Sequence, residues 1–153
     1  MGQRTGCMIR VGGGKAGCEK GTSVGLSRTR NGKMEGFLGI AKALSDENRV
    51  RILRLLDDGE LCVCQIIEML RLAPSTISEH MAMLHRAELV EARKEGRWVY
   101  YRLADADTTD MVRVALRWVR DSLENDQQVR SDAKRLRAVK RTPVKDLCRC
   151  YET

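Results

Sequence analysis

The 153-residue chain is the size of one domain with tails, and no apolar run in it approaches the ~20 residues that span a bilayer. Basic residues near the N-terminus are followed by no apolar stretch, so they do not read as a secretory signal, and a cytoplasmic protein is expected. The net charge of +7 suggests nucleic acid, but residues 1–33 carry seven Lys/Arg against one Glu, residues 127–153 eight against three, and the middle thirteen against seventeen. The central segment is net acidic, and bulk charge alone does not make it a DNA binder.

Residues 1–33 are Gly-rich and basic and cannot bury enough apolar surface to offset ordering entropy. They read either as a disordered extension or as a segment ahead of a natural start at Met34. Helical patterning begins there (Phe37, Leu38, Ala41, Leu44), giving a first helix to about Leu44. Ser45 or Asp46 can cap a second helix, Glu47 to Asp57, with Val50, Ile52, Leu53, Leu55 and Leu56 facing a core, and Asp58-Gly59 ends it. A third helix is expected from about Leu61 to Leu70 with Ile66, Ile67 and Leu70 inward. Arg71-Leu72-Ala73 is a tight turn, and Pro74 suits the first turn of a fourth helix reaching about Ala87. Leu89–Arg93 and Trp98–Leu103 read as two strands joined by a turn at Lys94-Glu95-Gly96. A longer helix follows from Asp105 to about Leu123, with an apolar face wide enough to suggest a dimer partner. Beyond Asn125 the pattern is polar and basic and is expected to be a frayed helix and tail.

Two short helices, a three-residue turn and a hairpin make a winged helix-turn-helix. The fold class expected is therefore mainly α with a small β-hairpin wing, dimeric. It divides into a basic extension (1–33), a DNA-binding and dimerisation domain (34–124) and a basic tail carrying Cys-x-Cys (125–153). In the fourth helix Ile77, Met81 and Leu84 form the core stripe. The opposite face carries Ser75, Thr76, Ser78, Glu79 and Ala82 near the helix N-terminus, the end a recognition helix turns toward base edges and phosphates. Arg93, Lys94 and Arg97 on the hairpin can reach backbone phosphate or the minor groove, and His80 and Arg86 lie at the boundary as phosphate contacts. Any one Ser or Thr here would pass as a solvated surface residue; the arrangement as a whole is specific for double-stranded DNA.

The run Ala43-Leu44-Ser45-Asp46-Glu47-Asn48-Arg49-Val50-Arg51-Ile52-Leu53 resembles the opening signature of the ArsR/SmtB metalloregulatory repressors. So do Glu60-Leu61-Cys62-Val63-Cys64, Ser75-Thr76-Ile77-Ser78-Glu79-His80 and Gly96-Arg97-Trp98-Val99-Tyr100-Tyr101. The resemblance covers about Met34 to Leu123. It implies a homodimer formed largely by the first and last helices of the domain, bound to an operator that overlaps its own promoter. It also implies loss of DNA affinity when an inducer ion binds.

Six cysteines fall into three groups, Cys7 and Cys18, Cys62 and Cys64, and Cys148 and Cys150. Without an export signal, such pairs suggest metal or redox chemistry rather than structural disulfides. Cys62 and Cys64 sit at the start of the third helix, where thiolate, the form that binds soft ions, is favoured. Positions i and i+2 diverge on a regular helix, so one ion holding both sulfurs is expected to unwind the first turn. Taken alone, the pair would read as small buried hydrophobes. The resemblance to arsenite- and cadmium/lead-responsive members favours them as ligands for As(III) or Sb(III), with Cd(II) or Pb(II) as the alternative. The family's arsenite sensors often carry a third cysteine where this chain has Ile67, so a third thiolate is sought in Cys148 or Cys150, or in Cys7 or Cys18. The last helix has Asp107 and Asp110 but no histidine, which disfavours the family's zinc or nickel site. A thiol-redox-responsive repressor is the remaining alternative. No Cys-x-x-Cys on a βαβ pattern, phosphate loop or nucleophile–base set points to an enzyme.

Overall fold

The computed structural model describes residues 30–105 and 107–149. The expected extension through residue 29, with Cys7 and Cys18, lies outside the described residues, as does Cys150. The first helix, α1 (Arg30–Leu44), starts a turn before Met34, so residues 30–33 belong to it rather than to a disordered arm. In α2 (Glu47–Leu56) the Asp46 carboxylate accepts the Arg49 N–H at 3.1 Å, and Gly59 leaves the helix with φ 109°.

The sequence predicts helix from about Leu61, but Leu61 and Cys62 form a short strand, β1 (Leu61–Cys62), and α3 (Val63–Leu70) begins only at Val63. The Gln65 side chain reaches back to accept the Cys62 N–H at 2.9 Å, satisfying a donor that the helix start would otherwise orphan. After α3 the chain turns through Arg71 at φ 53° into α4 (Pro74–Arg86). The hairpin β2 (Val90–Glu95) and β3 (Trp98–Leu103) pairs antiparallel from Val90 opposite Leu103 to Glu95 opposite Trp98. Its turn is Gly96-Arg97, one residue later than expected, with Gly96 at φ 59° in the position where a two-residue hairpin turn favours glycine. β1 adds to the free edge of β3, Leu61 opposite Tyr101 and Cys62 opposite Tyr100, giving the sheet order β1-β3-β2. Helix α5 (Asp110–Ser122) starts later than Asp105 because Thr109 caps it, accepting the Val112 N–H.

The core gathers the stripes of α2, α3 and α4: Ile52, Leu53 and Leu56, then Ile66, Ile67 and Leu70, then Ile77, Met81 and Leu84. Among the described residues no helix is long and apolar enough to cross a membrane.

The expected C-terminal tail is instead two helices, α6 (Gln127–Arg141) and α7 (Val144–Arg149), packed on α2 and α3. Leu136, Val139 and Cys148 are buried. So sparse an apolar stripe is completed by polar locks to the body. The Asp132 carboxylate accepts from Arg51 Nε at 2.8 Å and Nη2 at 3.0 Å, Arg135 donates to the Glu68 carbonyl, and Lys140 to Asp58. Asp132 is buried and also receives Gln128, so Asp132→Ala leaves Arg51 without its partner and should loosen this arm by about 1.5–3 kcal/mol. The expected readout is new proteolysis between Leu123 and Asp126 with the body intact; an unchanged digestion pattern would mean that the apolar contacts alone hold the arm.

Candidate DNA-reading surface and thiol site

In α4 the core stripe Ile77, Met81 and Leu84 is buried, which turns Ser75, Glu79 and Ala82 to solvent and leaves Thr76 and Ser78 half-buried beside them. The Ser78 hydroxyl donates to the Pro74 carbonyl at 2.9 Å, so its oxygen lone pairs are what it can present outward. Arg86 is exposed at the far end of the helix.

His80 does not sit as an open phosphate contact. Its side chain is 13% exposed, with Nδ1 3.8 Å from Asp46 and 3.5 Å from Nη1 of Arg49. Arg49 is itself buried and donates to the backbone carbonyls of Ala43 at 2.7 Å and Lys42 at 2.9 Å. One guanidinium thereby ties the end of α1, the start of α2 and the flank of α4 together. The sequence did carry a signal for this: Arg49 lies three and four residues before Ile52 and Leu53, on the apolar stripe of α2.

The wing places Lys94 and Arg97 at its exposed tip, Arg97 lying over the Trp98 ring at 5.8 Å. Arg93, expected beside them, is committed lower on the wing. It donates to both Glu60 oxygens at 2.8 and 3.1 Å, pairs with Glu95 and lies over the Tyr100 ring. Those hydrogen bonds hold the Glu60 carboxyl below its usual range. Glu60 adjoins β1, so the segment that carries the first cysteine grips the wing through a side chain as well as through the sheet.

The sulfurs of Cys62, Cys64 and Cys148, all buried, lie within 4.8 Å of one another. The i, i+2 divergence expected for Cys62 and Cys64 does not arise, because Cys62 is extended (φ −68°, ψ 145°) and only Cys64 has entered the helix. The strand-to-helix junction turns both side chains to one side, so sharing a ligand requires no unwinding of α3. Cys148 arrives from α7 and is joined to Cys64 in a disulfide with Cα atoms 5.6 Å apart. Burial first, then charge at Cys62, pushes the nearby Tyr100 phenol up.

A recognition helix presented beside a cation-tipped hairpin defines a winged helix-turn-helix DNA-binding regulator. Residues 46–92 match the model for bacterial regulatory proteins of the arsR family. An arsenic resistance transcriptional regulator of Pseudomonas putida is 38% identical over 98 residues, 63% of this chain and 74% of that relative. A homolog of the cadmium resistance transcriptional regulatory protein CadC from Staphylococcus aureus is 39% identical over 77 residues, 50% of this chain and 64% of the relative. Among solved structures, the homodimeric winged helix-turn-helix DNA-binding domain of a possible ArsR-family regulator from Mycobacterium bovis superposes with a TM-score of 0.53 at 31% identity, covering 67% of this chain and 93% of that one. The chain belongs to the ArsR family and is a DNA-binding transcriptional regulator, not an enzyme.

Proposed function

We propose that the protein is a homodimeric repressor of a metal(loid)-resistance operon. It leaves its operator when arsenite or antimonite is held by the thiolates of Cys62, Cys64 and Cys148. The observation that carries the reading is the convergence of three buried sulfurs within 4.8 Å, since sulfurs sharing one ion at bonds of roughly 2.3 Å stand roughly 3.8 Å apart. Three thiolates suit the pyramidal preference of trivalent arsenic. Cadmium or lead would call for a fourth, and Cys150, Cys7 and Cys18 are the remaining thiols in the chain.

The site lies where it can be felt by both reading elements. Cys62 is in the strand paired with β3 of the wing, and Cys64 opens the helix that leads through Arg71-Leu72-Ala73 into α4. Ion binding needs Cys64 and Cys148 as free thiolates, and spreading their sulfurs around one ion with Cys62 repositions that junction; a coupling of about 1–3 kcal/mol changes operator affinity roughly 5–150-fold.

The test is release from the operator measured against arsenite, antimonite, cadmium, lead, zinc and peroxide. Wild type should respond to arsenite or antimonite. Cys62→Ser/Cys64→Ser should not, and Cys148→Ser/Cys150→Ser should need a far higher dose. Undiminished release from the first variant would remove the β1–α3 junction as the switch.

For the reading head, Ser75, Thr76, Ser78 and Glu79 are assigned to the major groove and Arg86, Lys94 and Arg97 to phosphate or minor groove, with Arg93 held in reserve by Glu60 and Glu95. Lys94→Ala and Arg97→Ala should each weaken binding similarly across DNA sequences and lower the salt-dependence slope by about 1. Arg93→Ala should do less. Equal effects from all three would mean that Arg93 exchanges its carboxylates for phosphate on binding.

A further inference from the structure

We propose that Cys64 and Cys148 are an oxidation site that closes the ion pocket while leaving the DNA-reading geometry intact. A hydroperoxide then makes this regulator deaf to its inducer instead of releasing it from DNA. The inference rests on the three-thiolate reading above and adds a second input to the same sulfurs.

Three observations carry it. Cys64 and Cys148 are bonded to each other, and both are members of the trio whose sulfurs lie within 4.8 Å. Once they are joined, at most one sulfur of the three can still act as a thiolate ligand, and a single thiolate cannot make the set that a soft three-coordinate ion requires. The bonded state is also the one in which α4 runs unbroken from Pro74 to Arg86, and the wing keeps its full register from Val90–Leu103 to Glu95–Trp98. In the bonded state both elements that read DNA are fully formed. It fastens α7 to the first turn of α3, on a helix that already packs there.

The chemistry balances with one hydroperoxide. The thiolate of one cysteine attacks the peroxide oxygen; a sulfur–oxygen bond forms, the oxygen–oxygen bond breaks, and the alcohol leaves with a proton, giving a sulfenic acid. The second thiolate attacks that sulfur, the sulfur–sulfur bond forms, and hydroxide departs to be protonated to water. Two thiols and one hydroperoxide yield one disulfide, one alcohol and one water, with two electrons passing from sulfur to the peroxide oxygens. Both sulfurs are buried, and the six-residue α7 is the element whose opening exposes them.

The experiment uses the full chain in reduced and oxidised form. Protein treated with hydrogen peroxide and freed of excess is peptide-mapped, then assayed for arsenite bound per chain and for operator binding. Reversal is by a phosphine reductant, which adds no competing thiol. The expected results are a mapped Cys64–Cys148 bond, loss of arsenite uptake, operator affinity within about threefold of the reduced form, no release by arsenite, and full recovery on reduction. Cys62→Ser should still form the bond, which excludes Cys62 from it. In Cys148→Ser/Cys150→Ser, whatever arsenite the reduced protein takes up the peroxide-treated protein should take up as well.

Arsenite bound equally by reduced and oxidised wild type overturns the gate and leaves the three-thiolate reading standing. Mapping of the bond to a different pair, or loss of operator binding on oxidation, also overturns it. Failure of the reduced protein to bind arsenite overturns the three-thiolate reading itself, and the gate with it.

Discussion

Arg49→Leu should lower the stability of the protein by about 3 kcal/mol and weaken operator binding beyond what that loss explains. The side chain is 9% exposed, and its Nε and Nη2 donate to the carbonyls of Ala43 and Lys42 in the last turn of α1. A helix end leaves such carbonyls without partners, and a cation there also complements the helix dipole. Leucine fills the space without donating. Lys42 keeps a second donor in the Ser45 hydroxyl at 2.7 Å, so the cost falls mainly on the Ala43 carbonyl, on Asp46, which loses its cation, and on the packing of three helices. Lysine should recover only part of the loss, because a single ammonium cannot span both carbonyls as the guanidinium fork does. Urea unfolding at constant slope measures the first effect, and operator titration at a temperature where the variant is fully folded measures the second. A loss below about 1 kcal/mol would show that Arg49 is not the pin between α1, α2 and α4.

Much of this fold is written in apolar periodicity. The stripe Ile77, Met81 and Leu84 places α4 correctly and therefore places the face that carries Ser75 and Glu79. What the pattern hid has physical reasons. β1 is two residues long, below the length at which alternation can be told from the start of a helix, and it exists because β3 offers it an edge. That single misreading made Cys62 and Cys64 seem to diverge. The arm α6–α7 escaped because its body contacts are only a few apolar residues, with Arg51–Asp132, Arg135–Glu68 and Lys140–Asp58 doing the rest. Charge composition reads such a helix as solvated; only the partners, far away in sequence, show otherwise. His80 and Arg93 were legible as phosphate contacts near the reading face, but not as side chains already facing Asp46 and Glu60.

The largest effect on DNA binding is expected from the face that this chain leaves uncovered. In α5, Val112 and Val119 turn inward while Val114 and Trp118, one turn apart, are 63% and 64% exposed. Met34, Phe37 and Leu38 are likewise exposed on α1, which packs against α5. Large apolar groups in water on two adjoining helices are an unfavourable arrangement that a second copy of the same face would relieve. Val114→Glu/Trp118→Glu places carboxylates at the centre of that contact and should give a folded monomer, because neither side chain belongs to the chain's own core. A dimer binds the second half-site at an effective concentration set by its own geometry, so separating the protomers should reduce affinity for a two-half-site operator by about 10²–10⁴-fold. Affinity for an isolated half-site should stay within a few-fold, since α4 and the wing are untouched. Sedimentation or light scattering reports the first consequence, paired titrations on full and half operators the second, and circular dichroism verifies folding. A dimer that survives both substitutions would place the interface elsewhere. A monomer that still binds the full operator at wild-type affinity would show that one recognition helix and one wing suffice.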